Sequence, residues 1–383
     1  MGKIQALSSN TRPQQPSGEI LFPVTLAMFV LISRVLCRGP VYFADGPSHI
    51  QSILDKTYVI QPPGYWLFSR IAGLFPNPAL SITAMNILFS IAGVVVFYYT
   101  ARFFAARINA FLAALAYSTI FYIWFSGEVH STYASQILFP VATFCALLHY
   151  ERERKKWTLP LAALLFAVGM GLRPTDGVFM LPMLLYFAIT RMPRKDCVPF
   201  LSLIALLNLG WIIPTWLAFH NNGGLHEAAG YVAYIVKVKS ILFAVNAYSI
   251  ANAVRYALPL LVAFWPVLAT AVLRAIREWK DWRVKALVIW IVPGSLFFIL
   301  ILMSDPTYLN FLSAAILLLA ITAPRRMIIT AVWNAMLFLA LSPIASPRFV
   351  VNVANCYILQ YTRYCVQHQV TLRLSEIQTP SDK

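Results

Sequence analysis

Two polar segments in an otherwise apolar chain carry residue types that could act in acid–base chemistry or bind an anion. Asp45 and His49 follow the first apolar segment, and Arg173 lies in 173–176, the polar interruption of the apolar stretch 157–190. A carboxylate is ionised at neutral pH and can take a proton from a hydroxyl group within hydrogen-bonding distance. A guanidinium fork matches the geometry of a phosphate. These residue types could therefore serve as a general base and as an anion-binding group.

Each of these residues also has a structural interpretation. Asp45 could cap the helix that follows it, because aspartate is favoured at that position. Arg173 could pair with Asp176, which lies about one helical turn further along the chain. His49 could be an ordinary loop histidine, and Glu128, in a later loop, could line a substrate site or have no catalytic role. The residue types alone leave both interpretations open.

Other kinds of chemistry find little support in the sequence. The cysteines form no CxxC pair, and no group of His, Asp, Glu or Cys has the spacing of metal ligands, so we predict no metal and no cofactor. Cys356 and Cys365 could form a disulfide in an oxidising compartment, although we expect two free thiols. The net charge is +16, but no basic run is interleaved with aromatic residues, so we predict no nucleic-acid partner.

The composition indicates a polytopic membrane protein. Of the 383 residues, 60% are hydrophobic and only 11% are charged, against about 25% charged residues in an ordinary soluble domain. A soluble globule of this size could not bury so much apolar surface. Because a bilayer core of about 30 Å is crossed by about 20 helical residues, we predict an all-α transmembrane bundle.

Eleven apolar segments are candidate membrane spans. They are 20–37, 79–101, 108–125, 132–149, 157–172, 175–190, 197–219, 250–273, 285–303, 307–323 and 327–343. We place a cytoplasmic tail at 1–19, the bundle at 20–343 and a C-terminal tail at 344–383. Ten or twelve spans are alternatives, since 344–361 is a poor additional segment. Arg34 lies near the outer end of the first span, where we expect its side chain to extend to the membrane surface.

The distribution of basic residues predicts the orientation of the bundle. Basic clusters fall between alternate pairs of spans, as at 151–156 and 274–285, and such loops are typically cytoplasmic. We therefore expect a cytoplasmic N-terminus in the plasma (inner) membrane. The stretch 157–190 is too long for one span, and Pro174 should break it into two short helices that meet at an outer turn.

The outer side then collects the irregular loops and two candidate interfacial helices. The first outer loop, 38–78, is predicted to carry the active site. It contains Gln61, a di-proline and an amphipathic stretch at 64–75, with Tyr65 and Trp66 suited to the level of the lipid headgroups. A second interfacial helix is predicted at 231–248, which is apolar but carries two lysines.

The loop motifs resemble those of the GT-C fold membrane glycosyltransferases, the broad group that includes protein O-mannosyltransferases and aminoarabinose lipid A transferases. The resemblance rests on Asp45 in the first outer loop, followed by Pro-Pro-Gly-Tyr-Trp-Leu at 62–67. Weaker similarities lie at 133–150, at 171–175 and at 305–309, and the resemblance covers roughly 20–325. The sequence departs from the family at Gly46, where a second acid is common, and at Arg173, where lysine is common.

The resemblance implies transfer of a sugar, with inversion, from a polyprenyl-phosphate donor to a hydroxyl of a lipid, glycan or protein acceptor on the non-cytoplasmic face. Asp45 would be the catalytic base and Arg173 would bind the phosphate. The remaining candidates for substrate contact are His49, Gln61, Tyr65 and Glu128.

Two alternative functions remain. A transporter or flippase would also use a helix interrupted near Pro174, but no ionisable pair lies in the middle of a span to drive coupling. A catalytically inactive GT-C-like subunit is kept open by Gly46.

Overall fold

The computed structural model describes residues 20–37, 46–60, 64–221, 224–243, 245, 247–303 and 306–341. Within these ranges the chain is helical and contains no strand. The helices are α1 (Leu21–Cys37), α2 (Gly46–Leu54), α3 (Trp66–Ala72), α4 (Pro78–Ala101), α5 (Arg107–Thr119), α6 (Phe121–Ser126), α7 (Ser135–Glu153), α8 (Thr158–Leu172), α9 (Pro174–Arg191), α10 (Arg194–Asn221), α11 (Leu225–Tyr234), α12 (Ala247–Arg277), α13 (Trp282–Leu300), α14 (Asn310–Ala320) and α15 (Pro324–Leu341). A π-helical turn follows α11 at Ile235–Lys239, and a 3₁₀ turn precedes α14 at Pro306–Leu309.

Each of the eleven apolar segments predicted as a span coincides with helical structure. Among the helices of the described residues, four are long and apolar enough to cross a membrane, namely α4, α10, α12 and α13. Shorter apolar helices occupy Leu21–Leu36, Thr158–Leu172 and Pro306–Ala320. The all-helical fold is therefore confirmed, and the number of eleven crossings stays a prediction.

The break predicted at Pro174 is present. α8 ends at Leu172, Arg173 has an extended backbone with φ −146° and ψ 90°, and α9 begins at Pro174. Proline is well tolerated as the first residue of a helix and disfavours helical geometry in the residue before it. The local sequence thus fixes the place where Arg173 leaves the helix.

The helices pack around a core in which α14 is the central element. Every residue of α14 is buried, as expected for a helix that is apolar on all sides. α14 contacts α5, α7, α12 and α13, while α4 packs against α1 and α7, and α8 packs against α7 and α10.

Contacts at both ends of α4 and α7 define two ends of the bundle. His130, just before α7, hydrogen-bonds to Thr83 near the start of α4, whereas Phe103 and His149 are in ring contact at the far ends of the two helices. The 24 residues of α4 span about 36 Å at 1.5 Å per residue. We call the end with α2, α3 and Arg173 the site end, and the end with Phe103 the basic end.

Three sequence predictions need correction. The predicted span 108–125 consists of two helices, α5 and α6, which are separated at Ile120. Arg34 does not extend to the membrane surface. Its side chain is fully buried, and its Nη2 donates a hydrogen bond of 2.6 Å to the carbonyl oxygen of Ser118 on α5.

The predicted interfacial helix 231–248 is placed differently in the chain. The helix begins earlier, with α11, and ends with the π-helical turn at Lys239, while Ser240 has an extended backbone. α12 then begins at Ala247. The possible twelfth segment 344–361, Cys356 and Cys365 lie outside the described residues.

Candidate active site

The described part of the predicted first outer loop contains two short helices, α2 and α3, which pack against each other through His49. His49, on α2, is only 2% exposed, and its ring lies 5.6 Å from that of Tyr65 and 5.2 Å from that of Phe68 on α3. Burial, together with the positive charges of Arg173 and His130, lowers the pKa of His49 to about 3. His49 is therefore neutral at physiological pH, and its ring packs on two aromatic side chains while its Nδ1 has no hydrogen-bond partner among the described residues.

The turn before α3 requires a glycine at position 64. Gly64 has φ +105°, a value that other residues rarely adopt, and Tyr65 follows with a left-handed φ of 55°. A Cβ at position 64 would lie 2.7 Å from Phe219 and 2.8 Å from Thr215, both on α10. The turn therefore packs closely against α10. It directs Tyr65 into the bundle, where Tyr65 is only 8% exposed.

We expect Gly64→Ala to lower the melting temperature and the activity, because the substitution combines a strained φ with two steric clashes. Such backbone strain alone costs about 1–3 kcal/mol. Thermal unfolding of the purified protein in detergent measures the change. Gly210→Ala is the matched control, since Gly210 lies on α10 and a Cβ there meets nothing within 4 Å. Equal melting temperatures for the two variants would contradict the role given to this turn.

Arg173 lies in a polar and aromatic pocket below this loop. Its side chain is fully buried, and its Nη1 donates a hydrogen bond of 2.7 Å to Thr132 Oγ1. The guanidinium carbon lies 3.9 Å from the ring centre of Tyr133, 5.0 Å from that of Tyr308 and 5.8 Å from that of Tyr65. Aromatic faces attract a cation, and the attraction is stronger when the cation is removed from water. The pocket therefore stabilises a buried positive charge.

The ion pair between Arg173 and Asp176, the alternative interpretation of Arg173, is present. Arg173 Nε lies 3.5 Å from Asp176 Oδ1, and Asp176 also accepts a hydrogen bond of 2.6 Å from Gln136 Nε2. This contact gives Arg173 a structural role. The ion pair leaves N–H groups of the guanidinium unused. Arginine carries five N–H groups, and Arg173 donates one hydrogen bond within the described residues. Several donors remain for an anionic ligand.

We name the set of residues around this charge the Arg173 cluster. Its members are Tyr65, Thr132, Tyr133, Gln136, Arg173, Asp176 and Tyr308. Of the residues predicted for substrate contact, Tyr65 belongs to the cluster, and His49 contacts it through Tyr65.

Glu128 follows α6 in the chain and is buried beside Arg34. Its carboxylate is 1% exposed, and the positive charge that acts on it is that of Arg34. Burial raises the pKa of Glu128, and Arg34 only partly offsets this effect. Among the described residues, no hydrogen bond or ion pair joins Glu128 to the Arg173 cluster. Its contact with substrate stays a prediction with no support from this geometry.

Asp45 and Gln61 lie outside the described residues, so their roles also stay predictions. Four residues of the Arg173 cluster were not predicted as site residues, namely Thr132, Tyr133, Gln136 and Tyr308. The sequence held a signal for two of them. Tyr133 begins the segment 133–150 and Tyr308 lies within 305–309, and both segments have a weak similarity to the family.

The chain is similar to known glycosyltransferases. The profile of the dolichyl-phosphate-mannose-protein mannosyltransferase family matches residues 60–217. Among solved structures, ArnT from Cupriavidus metallidurans, crystallised with bound undecaprenyl phosphate, is similar with a TM-score of 0.54 at 14% sequence identity. This match covers 81% of the present chain, which spans 60% of the ArnT chain. No curated protein matches the chain significantly by sequence.

These similarities confirm the resemblance to GT-C proteins that the loop motifs indicated. ArnT is a GT-C glycosyltransferase, and the present chain has an ArnT-like, all-helical fold. Together with the apolar helices, the similarities define an integral membrane protein. The matched family segment contains Tyr65, Tyr133, Arg173 and Asp176, whereas Tyr308 lies beyond it.

Proposed function

We propose that this protein is a membrane glycosyltransferase that moves a sugar from a polyprenyl-phosphate donor to an acceptor hydroxyl on the non-cytoplasmic face, with inversion. The observation that carries the proposal is the buried Arg173, held among three tyrosine rings with donors to spare and placed below the first outer loop. A buried cation with unused N–H groups suits the phosphate of a lipid-linked sugar. The undecaprenyl phosphate bound to ArnT supports the same class of donor.

The proposed reaction is a single displacement. Asp45 takes the proton from the acceptor hydroxyl, whose oxygen attacks the anomeric carbon of the donor sugar. The bond between that carbon and the phosphate oxygen breaks, and the phosphate leaves with the electron pair. Attack from the face opposite the leaving group gives inversion. Arg173 stabilises the negative charge that grows on the phosphate, and a fixed charge of this kind lowers the barrier without reorganisation during the reaction.

Ring contacts connect α2 to the proposed phosphate site. His49 on α2 packs on Tyr65, and the Tyr65 ring lies 5.8 Å from the Arg173 guanidinium. Asp45 immediately precedes α2 in the sequence. This proximity in the chain supports a base that acts beside the Arg173 cluster.

A polar cleft beside α2 suits an acceptor rich in hydroxyl groups. The cleft has a volume of about 640 Å³, and its polar lining includes Ser48, Gln51, Asp55 and Thr57. Short hydroxyl, amide and carboxylate side chains bind sugar-like hydroxyls by hydrogen bonds. We place the acceptor in this cleft, on the side of α2 that is open to solvent.

The donor can be identified by mass spectrometry of lipid-linked sugars and envelope glycans in cells with and without this chain. A glycosyltransferase leaves its donor unused when it is absent, so one polyprenyl-phosphate sugar should accumulate while one glycan loses that sugar. The purified protein in detergent should then consume the same lipid. Flux of the lipid across a vesicle without its consumption would instead identify a flippase. Consumption that needs a second protein would identify a non-catalytic subunit.

The orientation of the bundle should follow the positive-inside rule. A single cysteine at Ser48, in a variant without the native cysteines, should react with an impermeant reagent from the non-cytoplasmic side. A single cysteine at Glu153, at the end of α7, should react only from the cytoplasmic side. Labelling of whole cells and of inverted vesicles gives the two measurements. Labelling of both positions from one side would show that the assignment of faces is wrong.

A further inference from the structure

A positively charged cleft lies at the basic end of the bundle, opposite the Arg173 cluster. It has a volume of about 590 Å³ and lies between the C-terminal ends of α4 and α7 and the start of α13. Its charged lining consists of Arg102, Glu151, Arg152, Asp281 and Arg283, beside the aromatic rings of Phe103 and Trp282.

The two acidic residues of this cleft form ion pairs with arginines other than Arg102 and Arg152. Glu151 pairs with Arg154 at 2.9 Å and also with Arg191. Asp281 pairs with Arg283 at 2.8 Å and accepts the backbone N–H of the same residue at the start of α13. Neither carboxylate is therefore available to balance the remaining arginines.

Arg102 and Arg152 face the cleft without an acidic partner in the described part of the chain. Arg102 follows the last turn of α4, and its Nε is buried without a hydrogen-bond acceptor among the described residues. The Arg152 guanidinium lies 5.8 Å from the ring centre of Phe103 and is exposed to solvent on its other side. Two guanidinium groups with free donors thus open into one space.

The surroundings place this cleft at the level of membrane headgroups. Tyr99, less than one turn before Arg102 on the apolar helix α4, is 45% exposed, as expected for a side chain at the lipid boundary. A neighbouring cleft adds positive charge through Lys156 and Lys195, against the single acid Asp196 in its lining. An anionic headgroup is attracted to such a surface, whereas the ammonium group of a zwitterionic lipid is repelled by it.

We propose that this cleft binds the headgroup phosphate of an anionic glycerophospholipid. Arg102 and Arg152 would donate hydrogen bonds to the phosphate oxygens, and Phe103 and Trp282 would contact the glycerol and the first carbons of the acyl chains. The site is separate from the proposed donor site, because the two lie at opposite ends of α4 and α7. The proposal therefore does not depend on the proposed function.

Native mass spectrometry of the full-length protein in detergent tests this site. The probes are phosphatidylglycerol and phosphatidylcholine with identical acyl chains, each added alone and in the presence of excess inorganic phosphate. We expect retention of phosphatidylglycerol but not of phosphatidylcholine. The double variant Arg102→Gln and Arg152→Gln should reduce this retention about tenfold or more, since each basic side chain near the surface contributes measurably to the attraction.

The matched control removes two other basic residues from the same end of the bundle. Arg277 and Lys280 are exposed near the end of α12 and do not line the cleft, so Arg277→Gln and Lys280→Gln should leave retention unchanged. If the first double variant has a lowered melting temperature, Arg152→Gln alone should still reduce the retention of phosphatidylglycerol. The Arg152 side chain is exposed, so its substitution should not disturb the fold. Equal loss in both double variants, equal retention of phosphatidylcholine, or displacement of the lipid by inorganic phosphate would each overturn the proposal.

Discussion

Asp45→Asn should lower the rate of sugar transfer by at least ~10²-fold while the protein stays folded, because removal of a general base typically costs that much. Asparagine has the shape of aspartate and also caps helices well, so the start of α2 should be preserved. Asp45→Glu should keep a small part of the activity, since it keeps a carboxylate at a displaced position. Initial rates at saturating donor, together with the melting temperature, give the measurement.

Glu278→Gln is the control for this experiment. Glu278 is exposed near the end of α12 and pairs with Arg274 at 2.7 Å. The substitution also removes one carboxylate charge, but it lies outside the proposed donor and acceptor sites, and we expect nearly unchanged turnover. A rate near that of the wild type in Asp45→Asn would show that Asp45 is a helix cap, and the carry-over from the family motif would fail.

The sequence predicts the helices well because each apolar segment must be buried in lipid or in protein, whatever its neighbours are. Where a segment bends is decided by partners far away in the chain. No proline or glycine lies near Ile120 to predict the break between α5 and α6. There, Asn334 Oδ1 on α15 accepts a hydrogen bond of 3.4 Å from the backbone N–H of Phe121, the first residue of α6. A partner more than 200 residues away is not visible in the local pattern.

Partners distant in the chain also decide where the buried charges lie. Arg34 was expected at the membrane surface because a single helix offers no acceptor within the bilayer. The carbonyl of Ser118 supplies one on α5. At the site, Pro174 predicts where Arg173 leaves α8, but the rings of Tyr133 and Tyr308 come from segments that only the folded bundle brings together. The position of the cation was thus predictable, and its surroundings were not.

Arg173→Ala should reduce use of the lipid donor by ~10²–10³-fold, which is the loss measured when one donor that stabilises a developing anion is removed. The substitution should change the kinetics of donor use, because the phosphate belongs to the donor and leaves with the lipid. The Michaelis constant for the acceptor should change little. Arg173→Lys should be intermediate, since lysine keeps a positive charge but lacks the planar fork that contacts two oxygens.

The ion pair with Asp176 means that stability must be measured beside activity. Removing one partner of a buried pair leaves the other charge uncompensated and costs of the order of 3 kcal/mol. Arg173→Ala and Asp176→Asn should therefore both lower the melting temperature. Asp176→Asn keeps a carbonyl oxygen that can accept the hydrogen bond from Gln136 Nε2, so its loss should be the smaller of the two.

Donor kinetics of these two variants, at a temperature where both are folded, separate the two roles of Arg173. If the guanidinium binds the phosphate, Asp176→Asn keeps most of its donor use, because the positive charge and its N–H groups stay in place. If the pair only holds α9 against the loop before α7, then both variants lose stability together and their activities fall to the same extent. An equal fall in donor use would therefore show that the phosphate role is wrong. A fall confined to Arg173→Ala, partly restored in Arg173→Lys, would place the leaving group at the Arg173 cluster.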